Sequence, residues 1–132
     1  MTLIVDSITV DCVDWPAQID FWSALIGYAE DPQDPNNPGD PIGMIVGPAG
    51  GPSLLFIPVP ERRTVKNRLH LDLKPVGTTR DAEVERALGL GATLVDDRRE
   101  PSGAGWVVLA DPEGNEFCIV RSAAERVGQP DH

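Results

Sequence analysis

Three side chains in the second half of the chain could do chemistry: His70, Asp72 and Cys118. An imidazole titrates near neutrality, so His70 can serve a pocket as donor or general base. Its other reading is a structural histidine bonded to Asp72, Thr9 or backbone. A Cys118 thiol becomes nucleophilic when exposed beside positive charge. Its other reading is a small apolar filler in a buried strand. Asp72 and Asp11 either orient a ligand or join Lys74 in a surface ion pair. Among the aromatics, Trp22 reads as helix–sheet core. Trp106 starts a strand near a pocket mouth, where it could stack on a ligand.

Strands must aim these groups. Ile8 to Val13 alternates apolar and polar residues, and Leu69-His70-Leu71-Asp72-Leu73 alternates throughout, the pattern of a half-buried strand. Ile8, Val10, Cys12, Leu69, Leu71 and Leu73 then face helices. Ser7, Thr9, Asp11, His70, Asp72 and Lys74 face the other way, joined by Leu55, Ile57, Cys118 and Val120 from two later strands. A slip of one residue would invert any of these sets.

The later strands belong to hairpins. In Asp111-Pro112-Glu113-Gly114-Asn115-Glu116, Pro112 presets φ for a turn, and Gly114 and Asn115 tolerate positive φ. Trp106 to Leu109 precedes the turn and Phe117 to Val120 follows it. A shift of 63 positions lays Gly43 to Ile57 over Trp106 to Val120 without a gap. It also lays Ser7 to Asp11 over His70 to Lys74, and Ala24-Leu25 over Ala87-Leu88. One offset across strand, helix and hairpin marks a duplicated unit.

Helices follow each first strand. Asp14 is an N-cap, Pro16 sits in the first turn, and Gly27 ends a helix with Ile19, Trp22, Leu25 and Ile26 on its apolar stripe and Phe21 beside it. Thr78 or Thr79 caps the second helix. Asp81 and Glu83 favour its start, Ala82, Val84, Ala87 and Leu88 carry its contacts, and Gly89 and Gly91 end it. Tyr28 to Asp31 is a candidate strand, and Asp31 to Asp40 a polar loop that either rims a site or is a solvated connector. Ser53 to Val59 and Ala92 to Val95 are further strands, and Asp96 to Gly105 a turn-rich loop. The plan is α+β: one domain of tandem βαβββ modules in a curved mixed sheet around a concave pocket, helices outside. Module one spans 3–60, a linker 61–67, module two 68–121. The tail, 122–132, is expected to be a short frayed helix or disordered.

Bulk properties limit the partners. The chain has 132 residues, long enough for one buried core, and a formal net charge of −10. That charge argues against nucleic acid and anionic membranes, and no apolar run reaches the roughly 20 residues of a membrane span. The start lacks a basic region, so a secretory signal is not expected and the cytoplasm is. Cys12 and Cys118 are then reduced thiols outside any C-x-x-C pair.

The duplication, the Asp14-capped helix ending Leu25-Ile26-Gly27, the Leu69-His70-Leu71-Asp72 strand and the Asp111-Pro112-Glu113-Gly114-Asn115-Glu116-Phe117 turn together resemble the vicinal oxygen chelate superfamily, and within it the glyoxalase-like domains. The resemblance spans roughly Leu3 to Arg121. It implies metal ligands at Ser7, Leu55, His70 and Cys118 in metal-dependent members. His70 suits such a role, whereas Ser7 is a poor ligand and Leu55 is none. The expected function is therefore metal-independent small-molecule binding, as in drug-sequestering relatives. Its mostly apolar pocket comprises Ser7, Thr9, Leu55, Ile57, His70, Asp72, Trp106 and Cys118. No cofactor is expected, and His70 is the candidate catalytic residue. The alternative is a lyase, isomerase or dioxygenase, with a divalent metal held through His70 and Cys118. The resemblance also implies a homodimer.

Overall fold

The computed structural model describes residues 2–127; Met1 and residues 128–132 lie outside the described set. The chain divides after Arg62, inside the segment expected as a linker.

The first module runs β1 (Ser7–Cys12), α1 (Trp15–Ile26), β2 (Gly43–Ile45) and β3 (Ser53–Pro58). Its sheet has the order β1-β3-β2, with β1 parallel and β2 antiparallel to the central β3. Helix α1 forms where local chemistry dictates. The Asp14 side chain accepts from the Ala17 N–H at 3.1 Å, and Gly27 takes φ 74° to close the other end, a conformation glycine reaches without a Cβ penalty. Phe21, Trp22 and Leu25 are buried as expected, together with Gln18, while Ile19 and Ile26 are half-buried. Phe21 and Trp22 meet edge to face, 5.5 Å between ring centroids.

The second module runs β4 (Leu71–Leu73), α2 (Arg80–Leu90), β5 (Thr93–Asp97), β6 (Val107–Ala110) and β7 (Glu116–Ile119), with sheet order β4-β7-β6-β5. Thr79 is the N-cap of α2, its hydroxyl accepting from Ala82 N–H at 3.2 Å. Gly91 caps the C-terminus at φ 117°. Gly89, expected as a terminator, lies within the helix. Of the expected contacts, Val84 and Ala87 are buried and Ala82 is exposed. The α+β class and the tandem plan hold, with one mixed sheet and one helix per module.

The repeat is written into strand register. Ile8 faces Leu54, Thr9 faces Leu55 and Val10 faces Phe56. Sixty-three positions on, Leu71 faces Phe117, Asp72 faces Cys118 and Leu73 faces Ile119. Gly51 and Gly114 hold φ of 88° and 91° in the two hairpin turns, while Asn115 keeps an ordinary negative φ. The hairpins themselves differ by one residue. Gly43 pairs with Phe56 and Val107 with Ile119, so the ungapped overlay fails on β6, which starts one residue later than expected.

Three expected strands are shorter or displaced. Tyr28 to Asp31 contributes only an Ala29–Val46 bridge. The adjoining edge of β2 is taken by the Asn36 amide, which donates to Met44 C=O at 2.8 Å and accepts from Met44 N–H at 3.0 Å. Leu69 and His70 stay outside β4, and Leu69 is exposed rather than facing a helix. The Glu116 N–H is occupied by Asn67 Oδ1 at 3.2 Å, so the ladder stops one step earlier. The strand expected over Ala92 to Val95 instead spans Thr93–Asp97 and carries a register shift between Leu94 and Asp96.

The tail is also better anchored than expected. Glu125 Oε1 accepts from the Ser122 and Arg80 N–H groups, each at 2.8 Å. Residues 123–127 form turns, and the rest of the expected tail lies outside the described residues. No described helix is long and apolar enough to cross a membrane.

Candidate functional site

The second module gathers the three chemically capable residues. One donor atom each from His70, Asp72 and Cys118 lie within 4.8 Å of one another. Register explains the meeting: Asp72 and Cys118 are direct partners across the parallel β4–β7 pair, and His70 is two residues before Asp72, on the same side of the chain. His70 and Asp72 are exposed and Cys118 is buried.

The face continues across the sheet. Val108 lies opposite Cys118 and Ala110 opposite Glu116, so all four point to one side. The alternate residues Phe117, Ile119, Val107 and Leu109 are buried on the other side, where α2 packs against β7. Trp106, half-buried, precedes β6, and its spacing from Val108 aims it with this row. The face is thus graded, polar along β4 and apolar along β6.

Electrostatics give Cys118 a definite state. Burial pushes its thiol up to about 11, and the Asp72 carboxylate beside it, which also takes a hydrogen bond from the thiol, pushes the same way. Lys66 opposes this weakly. The thiolate needed for nucleophilic attack is therefore disfavoured at neutral pH. Cys118 is buried, as the filler reading required, but it also spends its proton on a neighbouring carboxylate.

Glu116, Lys66 and Asn67 were not singled out from sequence. Lys66 Nζ lies 3.1 Å from Glu116 Oε1; the carboxylate side chain is 8% exposed and the lysine side chain 71%. Glu116 stands two residues before Cys118 on the same strand, and that spacing is the signal that could have found it.

In the first module, Thr9 and Leu55 are register partners, as are Asp11 and Ile57, while Ser7 faces Ser53. Ser7, Leu55 and Ile57 are half-buried and Thr9 is exposed. At the positions repeat-equivalent to His70 and Cys118, this module therefore presents a hydroxyl and an aliphatic side chain.

A family model described as a glyoxalase-like domain matches residues 7–120. No curated protein matches the chain. Among solved structures, a glyoxalase/bleomycin resistance protein/dioxygenase family enzyme from Burkholderia phytofirmans is 22% identical with a TM-score of 0.66, covering 89% of this chain and 97% of its own. A point mutant of the fosfomycin resistance protein FosX from Listeria monocytogenes, complexed with Mn(II) and 1S,2S-dihydroxypropylphosphonic acid, is 16% identical with a TM-score of 0.71, covering 96% and 97%. FosX from Mesorhizobium loti is 14% identical with a TM-score of 0.67, covering 98% and 100%. These likenesses concern the fold, whereas the family model covers most of the chain itself. The chain belongs to the glyoxalase-like domain family.

Proposed function

We propose that this protein binds a small, mostly apolar molecule without a metal. The observation that carries the reading is the donor set. Of the four repeat-related positions, Leu55 has no donor atom and Ser7 offers a weak one. Cys118 offers a thiol where metal-dependent members carry a carboxylate, leaving His70 as the one ordinary ligand. A stable transition-metal centre needs three or four protein ligands, and these residues do not supply that set across the repeat. The apolar row Trp106, Val108 and Ala110 suits the body of a ligand, with His70 and Asp72 orienting its polar end. A cytoplasmic homodimer completes the reading, and light scattering on the full chain checks its mass.

The close approach of His70, Asp72 and Cys118 favours a second reading, a metal-dependent enzyme with all three donors from one module. FosX from Listeria, complexed with Mn(II), has this fold. Elemental analysis of untagged protein, with His70→Ala beside it, separates the two. We expect sub-stoichiometric metal in both proteins. Near-stoichiometric metal that is lost in His70→Ala would overturn the binding reading.

A further inference from the structure

Charge is divided unevenly along this chain. Residues 1–61 contain no Lys or Arg. Five cations, Arg62, Arg63, Lys66, Arg68 and Lys74, then fall within residues 62–74, where Asp72 is the sole acid, in a chain of net charge −10. Later cations are mostly neutralised within the module: Arg80 pairs with Asp81, Arg86 with Glu83, Arg98 with Asp96 and Arg99 with Asp97. Arg68 and Lys74 make no hydrogen bond or ion pair among the described residues, and both are exposed.

This basic run is also the run that builds the site. Lys66 reaches Glu116, Asn67 ends the β4–β7 ladder, and His70 and Asp72 stand beside Cys118. Lys74 lies two residues beyond Asp72, where alternation returns it to the same face. Salt screens charges beyond about 8 Å at physiological ionic strength. With Lys66 neutralised by Glu116, a bound group there feels Arg68 and Lys74, set against Asp72, more than the acidity of the whole chain.

We infer that the ligand of this site carries an anionic group, a carboxylate, sulfonate or phosphonate, seated against Arg68 and Lys74 with its apolar body over Trp106, Val108 and Ala110. The inference rests on the binding reading above and names the ligand class. Arg68 and Lys74 hold the anion, and the Lys66–Glu116 pair beside them is internally neutral. Each exposed cation contributes a few-fold in affinity, so two together are worth about tenfold.

The test compares two dyes with the same apolar body. 8-Anilinonaphthalene-1-sulfonate is anionic and N-phenyl-1-naphthylamine is neutral. Fluorescence titration of the full chain measures both affinities at low and high salt. The imidazole signal of His70, one of two histidines, reports by NMR whether the dye reaches the site. We expect one anionic dye per chain, bound about tenfold tighter than the neutral dye at low salt, an advantage lost at high salt. The exposed double variant Arg68→Gln with Lys74→Gln should weaken the anionic dye about tenfold and leave the neutral dye within about twofold. Equal binding of both dyes with a shifted His70 signal, or an unaffected double variant, overturns the anionic assignment and leaves the binding reading standing. Failure of both dyes to saturate or to move the His70 signal overturns both.

Discussion

The Cys118–Asp72 pair makes a measurable claim about alkaline stability. The thiol's ordinary value is 9.0 and the folded protein raises it to about 11. A group whose folded value is raised contributes stability that is fully present below its unfolded value and is lost as pH rises through the folded one. The window is therefore pH 9 to 11. A shift of this size corresponds to roughly 3 kcal/mol of stability, at most, lost across it. Other groups titrate there too, so the quantity to measure is a difference. Urea unfolding of wild type and Cys118→Ala, at intervals from about pH 7.5 to 11, isolates it. The two stability curves should run parallel below about pH 9 and converge by up to roughly 3 kcal/mol above it. In Asp72→Asn the carboxylate's contribution vanishes but burial remains, so the thiol should settle between 9 and 11. Each unit of decrease raises the thiolate fraction at about pH 8 roughly tenfold, read as the rate of Cys118 alkylation in a Cys12→Ser background. Parallel curves throughout the window, or an alkylation rate unchanged by Asp72→Asn, would refute the reasoning.

Two further perturbations test the scaffold under the site. Asp111 is buried and accepts from Glu113 N–H at 2.9 Å, Asn115 N–H at 3.0 Å and Asn115 Nδ2 at 3.1 Å; Asp111→Ala should cost about 3 kcal/mol in denaturant unfolding, since three donors lose their acceptor. Gly105 and Gly77 both hold positive φ, but a Cβ at Gly105 would strike the Arg98 carbonyl whereas Gly77 opens onto empty space. Gly77→Ala should therefore cost about 1 kcal/mol in a thermal melt, and Gly105→Ala about 3 kcal/mol or more. Equal losses at the two glycines would show that the Arg98 contact is unimportant.

Much of this molecule was legible from local chemistry. Asp14 and Thr79 cap their helices because a cap needs one side-chain oxygen three residues from an N–H, and Gly27 and Gly91 close them because closure needs positive φ. The 63-residue offset marked a duplicated unit, and in the structure the two parallel pairs share one register, because a duplicated unit repeats its pairing. Period-2 alternation correctly put His70 and Asp72 on one side.

Other features depended on residues that only folding brings together. Asn67 and Asn36 complete strand edges with their amides, and nothing in their own neighbourhoods distinguishes them from loop residues. The buried Arg80 guanidinium donates to the carbonyls of Gly103, Ala104 and Gly105 and so holds a loop that composition alone marks as free. Sequence by itself therefore determined the helix caps and the common side of His70 and Asp72, whose causes lie within a few residues of one another. Only the tertiary structure decided that Cys118 would share its proton with Asp72, that Lys66 would reach Glu116, and that β4 would stop short of His70. Each of those depends on a register between segments far apart in the chain, where one step of slippage would have turned every side chain to the opposite face.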